Sequence, residues 1–265
     1  MDFRTDDVEY QPGLLARLYQ PIGQGPFPAV LEVHGGAWTG GDRFNNVAIA
    51  EALAADGCVV LSIDFRMPPQ ARYPDTVADV NLGIRWLKAN AAKFHSSADR
   101  AGGLGTSSGG HLLLLSALRP NDPRYGKLPG PAVDASLRFA IACWPVADPL
   151  QRYRVMRESG NDRLVAAHDK FWPSEADMAE GNPTQILTRG EAVAKPPMLI
   201  MQGTADNNLA PDMMDNFAAA YTNAGGSIEQ HSFPNQPHAF IANAPTSPDS
   251  LRALDLIRAF VRKHG

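Results

Sequence analysis

The chain reads as an α/β protein, a largely parallel sheet with helices on both faces. Short apolar runs alternate with longer stretches of helical periodicity, the signature of that architecture. The 265 residues are 44% hydrophobic, enough for a full core without disulfide or metal staples, because a chain of this size buries about 70–75% of its unfolded surface. The 22 prolines and 23 glycines are spread as punctuation between elements and are not gathered into a disordered tract. One domain spanning 1–265 is expected, with no repeat, heptad run or low-complexity segment.

Taken in order, the opening MDFRTDDVEY is acidic and lacks the apolar stretch of a leader, so nothing in it is expected to export the protein. Strands are expected over 14–19 (LLARLY), 28–34 (PAVLEVH), 58–64 (CVVLSID), 101–106, 137–144 (LRFAIACW), 197–203 (PMLIMQG) and 227–233. Helices are expected near 44–56, 76–94, 108–118, 211–224 and 248–263. In the 76–94 segment Val77, Val80, Ile84, Trp86 and Leu87 recur at near-helical spacing, behind Pro74 and with Asp75 placed to cap the start. The rhythm breaks over 146–195, far more than the dozen or so residues a crossover needs. An insertion is expected there. Its Tyr153, Met156, Phe171, Trp172 and Met178 suit a lid or pocket wall as well as a surface excursion with its own small core.

Charge narrows the function classes. The 24 Lys and Arg against 28 Asp and Glu give a net charge of −4 with no long run of either sign, which argues against nucleic acid or an anionic membrane as partner. No apolar segment approaches the ~18 residues of a membrane span, so a cytoplasmic protein acting on a small molecule is expected. Cys58 and Cys143 both lie inside apolar runs, where they read as buried thiols and leave no zinc site. No metal and no cofactor is expected.

The most specific chemical signal is Gly105-Thr106-Ser107-Ser108-Gly109, a G-x-S-x-G pentapeptide between an apolar strand and the helix carrying Leu112 to Leu115. In that context the motif is a nucleophile elbow: a strained strand-to-helix turn exposes the central hydroxyl, and small neighbours let the chain close around it. Centring on Ser108 would put Thr106 where the first Gly belongs, so Ser107 is the candidate nucleophile. A phosphate loop is the competing reading, but the stretch lacks the Gly-Lys-Ser/Thr ending and fits no G-x-G-x-x-G register. His34-Gly35-Gly36-Ala37-Trp38 ends the strand PAVLEV. The amides of Gly36, Ala37 and Ser108 are the candidate oxyanion hole, with His34 pinning the loop; Trp38 suits a substrate pocket together with Phe171 and Trp172, and equally a packed surface position.

A serine needs an imidazole to take its proton, and the imidazole needs a carboxylate to hold it. Asp206, in the Gly-Thr-Ala-Asp turn after PMLIMQG, is the leading acid, with Asp148 and Asp212 as alternatives. The order Ser, Asp, His leaves His231, His238 and His264 of the seven histidines. His238 is preferred because it lies in the proline-braced loop after the last strand. His111, one helical turn after Ser107, reads as a core residue or a support for the site.

Together HGGAW at 34–38, DFRMPPQARYPDTVADVNLGIRWLKANAAKF at 64–94, GTSSGGH at 105–111, QGTAD at 202–206 and PHAF at 237–240 resemble the α/β-hydrolase fold. The nearest groups are the hormone-sensitive-lipase-like esterases and the bacterial feruloyl-esterase-like proteins. The resemblance covers nearly all the chain. It implies an eight-stranded, mostly parallel sheet and a Ser107, Asp206, His238 triad. It also implies a small-molecule ester substrate, with a homodimer through the edge strand open to the chain. Three departures bear on subfamily and substrate: Ala37 replaces the third Gly of HGGG, Phe65 to Gln70 replaces YRLAPE, and Gly105 to Gly109 replaces GDSAG. The N-terminal region is short for a helical cap, which leaves 146–195 as the lid candidate. The expected activity is cofactor-free hydrolysis of carboxylic esters with short-chain or aromatic acyl groups. An amidase such as an arylformamidase, and a catalytically silent ligand-binding member of the fold, are the alternatives.

Overall fold

The computed structural model describes Met1–Gly265. Eight strands, β1 (Phe3–Gln11), β2 (Leu14–Pro21), β3 (Phe27–Val33), β4 (Val59–Ile63), β5 (Ser96–Thr106), β6 (Ala140–Cys143), β7 (Met198–Gly203) and β8 (Ile228–Phe233), form one sheet. Their order is β1-β2-β4-β3-β5-β6-β7-β8. The first two strands pair antiparallel with each other, β2 pairs antiparallel with β4, and every later pairing is parallel. This is the α/β-hydrolase arrangement that the motifs imply.

The helices are α1 (Val47–Ala55), α2 (Asp75–Asn90), α3 (Ser107–Leu118), α4 (Pro149–Glu158), α5 (Asp162–Phe171), α6 (Glu175–Glu180), α7 (Pro183–Thr188), α8 (Met213–Asn223), α9 (Phe240–Asn243) and α10 (Pro248–His264). No helix is long and apolar enough to cross a membrane. Strands β4, β6 and β7 are buried throughout and β3 at every residue but Pro28; helices cover them on both faces, which is why they read as apolar runs.

Three expectations need correction. The opening segment, read only as an acidic terminus, forms β1. Its burial alternates along an edge strand, with Tyr10 as the one fully buried side chain, so its charges face water and mask the strand signal. Asp75 does not cap α2: Pro74 holds the cap position, Asp75 is the first helical residue, and no side-chain cap bond forms. Its carboxylate engages Lys127 instead. The helix ends at Asn90 and continues as one 3-10 turn over Ala91–Phe94.

The 146–195 stretch folds as four short helices, and each starts on a side-chain cap. Asp148, Asn161, Ser174 and Asn182 accept from the amides of Gln151, Leu164, Asp177 and Gln185 respectively. Such caps satisfy otherwise orphaned N–H groups at helix starts. Phe171, Trp172 and Met178 join the main core, while Met156, Leu164 and Ala167 form a small separate cluster with Ala37.

The chain runs from β3 outward to β4 and then crosses back to the other side of β3 to make β5. Connections therefore leave these two neighbours in opposite directions, and a crevice opens beyond their carboxyl ends.

Candidate active site

A cleft of about 260 Å³ occupies that crevice. Gly36 and Ala37 come to it from the loop after β3, Ser107 from the end of β5, Trp144 from β6, Asn208 from β7 and His238 from β8.

Ser107 is the first residue of α3, held at φ +53°, a left-handed conformation that side chains avoid. The turn closes because α3 can lie directly against the end of β3. A Cβ on Gly109 would sit 2.1 Å from the His34 carbonyl oxygen and 2.3 Å from that of Val33. Both contacts are with backbone, so only glycine fits. Below the turn, Asn46 Nδ2 donates to Thr106 Oγ1 at 3.0 Å and also to the buried Glu32 carboxyl. Burial lifts the Glu32 pKa to about 7.

The Ser107 Oγ lies 2.9 Å from His238 Nε2, and His238 Nδ1 lies 2.7 Å from Asp206 Oδ2. The carboxylate fixes the ring, since Nδ1 must carry the proton it donates. Two loops are laced together to hold this pair. Thr204 N donates to Phe233 O at 2.9 Å, Ala205 N to Gln236 O at 3.0 Å, and Asn235 N to Thr204 Oγ1 at 2.8 Å. Asn208 N donates to the other Asp206 oxygen at 2.8 Å, and Asn243 Nδ2 to His238 O at 3.1 Å.

The alternative residues are engaged elsewhere. Asp148 caps α4 and accepts from Asn182 Nδ2 at 2.7 Å. Asp212 accepts from Gln151 and Asn216. His231 lies within β8, and His264 packs on Phe260 at the end of α10. A hydroxyl, imidazole and carboxylate in this sequence form the arrangement that activates a serine for acyl transfer.

In the loop after β3, Ala37 and Trp38 both adopt positive φ, +53° and +60°. The Gly36 and Ala37 amides donate to no acceptor within the chain and border the cleft beside Ser107. Ser108 follows Ser107 at the first turn of α3, where helix N–H groups are free to donate outward. His34 is buried, stacks on Phe65 at 4.2 Å and donates from Nδ1 to Gly35 O at 2.6 Å. Burial lowers its pKa, which suits a loop-pinning residue.

Trp38, Phe171 and Trp172 do not line the cleft. They are packed beneath it, each no more than 2% exposed. Trp38 stacks on Phe171 at 4.9 Å and meets Trp172, His111 and His168 edge-on. His111 Nδ1 accepts from Trp38 Nε1 at 3.2 Å, and its Nε2 donates to Gly181 O at 2.8 Å. Burial lowers its pKa to about 4, so it stays neutral as a tether between α3 and the start of α7. The pocket expectation fails because aromatic side chains of this size gain most by full burial.

The 146–195 segment presents Arg152, Arg163 and Leu164 to the cleft instead, and Asn45, Asn46, Trp144 and Asn208 complete the wall that sequence reasoning missed. Arg152 and Arg163 fall among other charges of a helical stretch and read as solvated surface. Trp144 carried a hint, standing at the end of an apolar strand beside the G-x-S-x-G strand in the sheet. No group of three or more His, Cys, Asp or Glu side chains is placed to hold a metal ion.

Residues 17–220 match the BD-FAE family. Among curated proteins, esterase LipC of Mycobacterium tuberculosis is 33% identical over 184 residues, 68% of this chain and 45% of LipC. Versiconal hemiacetal acetate esterase of Dothistroma septosporum is 32% identical over 261 residues, 94% of this chain and 76% of that protein. The chain spans about half the length of the first curated relatives it matches, 45% of LipC and 42% of LipM. Among solved structures, the propionate-bound esterase of Thermogutta terrifontis superposes with a TM-score of 0.77 at 24% identity, covering 98% of this chain and 94% of its own. The Francisella virulence factor BioJ superposes with a TM-score of 0.82 at 20% identity, covering 99% and 85%. These structural likenesses establish the fold.

Proposed function

The chain belongs to the BD-FAE family, within the hormone-sensitive-lipase-like group of α/β-hydrolase serine esterases, and on that footing we propose that it hydrolyses carboxylic esters through Ser107, His238 and Asp206. The observation that carries this reading is the unbroken relay from Ser107 Oγ to His238 Nε2 at 2.9 Å and from His238 Nδ1 to Asp206 Oδ2 at 2.7 Å.

Ser107 Oγ attacks the ester carbonyl carbon while His238 Nε2 takes its proton. Asp206 keeps the ring oriented and stabilises the imidazolium that forms. Charge develops on the carbonyl oxygen, where the Gly36, Ala37 and Ser108 amides act as donors that need no reorganisation. Collapse of the tetrahedral intermediate expels the alcohol, protonated by His238, and leaves an acyl group on Ser107. Water then repeats the sequence and releases the acid. Short acyl groups suit a cleft of about 260 Å³.

A fluorophosphonate probe should label the wild type and the Ser108→Ala variant but not Ser107→Ala. Ester turnover should fall by on the order of 10⁴–10⁶-fold in Ser107→Ala, whereas Ser108→Ala should keep most of it because its contribution is a backbone amide. The reverse pattern, a dead Ser108→Ala beside an active Ser107→Ala, overturns the assignment. His231→Gln should remain active and His238→Gln should not. An aryl formamide assayed beside its matched ester separates esterase from amidase.

A further inference from the structure

One buried cation in the cleft has no anionic partner. Arg152, on α4, is 1% exposed and lines the cleft with Ser107 and His238. Its Nε donates to Asn208 O at 2.9 Å, while its buried Nη1 donates to nothing. A guanidinium carries five N–H donors, and one removed from water is ordinarily paired with a carboxylate or met by several carbonyls. Elsewhere this chain obeys that rule. Arg119 grips Glu180 and Glu191, Arg66 forks onto Asp79, and Arg85 is met by Asn81 and the carbonyls of Leu128 and Pro131.

Asp206, the acid whose field reaches Arg152, is already committed to His238 and the Asn208 amide. The Trp38 ring, 5.5 Å from the guanidinium carbon, supports the side chain from beneath. Burial pulls its pKa down to about 10, which leaves it charged at neutral pH. Arg163, from α5, lines the same cleft and forms no ion pair, and its charge acts on Arg152. No acidic side chain lines the cleft.

Two cations thus face one small cleft, and the desolvated one keeps a donor that no side chain or carbonyl of the chain meets. We propose that Arg152 and Arg163 constitute an anion subsite beside Ser107, so that the preferred esters carry a carboxylate on the acyl or the alcohol part. This rests on the ester-hydrolase reading and narrows its substrate class. Arg152 would bind and position the substrate, with planar donors matched to a carboxylate.

The test compares two matched pairs: monomethyl glutarate with methyl 4-carbamoylbutanoate, and acetoxyacetate with acetoxyacetamide. The first pair places the carboxylate on the acyl side and the second on the alcohol side, with an uncharged amide as control. In one pair the wild type should favour the anion by about 10–100-fold in kcat/KM, as a charge-assisted pair supplies. The preference should shrink as salt is raised. Arg163→Gln should reduce it severalfold, and Arg152→Met should bring it close to one through KM more than kcat. Independently of turnover, glutarate should raise the Tm of Ser107→Ala but not of Ser107→Ala carrying Arg152→Met. If the Arg152 variants fail to fold, the wild-type ratios, Arg163→Gln and the glutarate shift of Ser107→Ala decide the question. Neutral and anionic esters turned over equally in both pairs, with no glutarate shift, overturn the subsite and leave ester hydrolysis standing. A glutarate shift with no ester turned over keeps the subsite and overturns the hydrolase.

Discussion

At the scale of single residues, the site is held by groups that each violate a local rule. Ser107 accepts a positive φ, Gly109 must lack a side chain, and Glu32 is fully buried beneath the turn. Glu32 has a measurable consequence. Its carboxyl is lifted by burial from 4.5 to about 7 in the folded protein, so the folded state holds a proton that the unfolded chain has released. A raised carboxyl pKa makes stability fall as pH rises from the unfolded to the folded value, and the loss is complete above the latter. Glu32→Gln keeps an acceptor for Asn46 and has no charge to desolvate. It should match the wild type at pH 4, gain through pH 4.5–7, and above that be more stable by on the order of 3 kcal/mol at about 1.4 kcal/mol per pH unit. Urea unfolding at pH 4 and pH 8 checks this, and an equal difference at both would show that Glu32 does not titrate with folding. The Ser107 motif was legible because a short-range steric demand writes itself into adjacent residues. Glu32 was not, since nothing in PAVLEV tells which face its polar residue meets.

At the scale of elements, the 146–195 segment shows where sequence reasoning loses its grip. Its position between β6 and β7 follows from the apolar runs on either side, and its caps at Asp148, Asn161, Ser174 and Asn182 stand in the sequence. Which residues it turns toward the cleft depends on how four helices pack on the sheet, and no periodicity encodes that. The large aromatics went inward and Arg152, Arg163 and Leu164 took the wall. The expected effects of substitution therefore change places. Trp172→Ala and Phe171→Ala open the core and should cost about 3–5 kcal/mol, lowering activity alike on all esters. Leu164→Ala, on the cleft wall, should alter the acyl-chain profile, since each methylene accommodated is worth about 1–3 kcal/mol. Chemical unfolding and a chain-length series of aryl esters separate the two classes. A shifted profile in the stably folded Trp172→Ala protein would return that residue to the pocket.

At the scale of the whole molecule, the sheet's connectivity divides the labour. The candidate site gathers at the carboxyl ends of β3, β5, β6, β7 and β8, all in the parallel part, and the switch from β4 across to β5 opens the crevice. The inner parallel strands β3, β4, β6 and β7 were legible because a strand covered on both faces is apolar almost throughout. The missed strand, β1, is the exception that this physics predicts. It pairs only with β2, carries Arg4, Asp6, Asp7 and Glu9 toward water, and is tied to the body by Tyr10 and by Asp7 with Arg17 and Arg43. Exposed ion pairs of this kind contribute little, roughly 0–1 kcal/mol each. An edge strand with one partner and alternating burial opens more readily than a strand flanked on both sides, so its amides should exchange with solvent through local opening. Hydrogen exchange followed by mass spectrometry should show peptides covering 3–11 labelling well before those covering 28–34 and 198–203. Protection of the N-terminal peptide equal to that of β3 would mean that the antiparallel edge unfolds only with the rest of the sheet, and that its polar pattern hides a core strand.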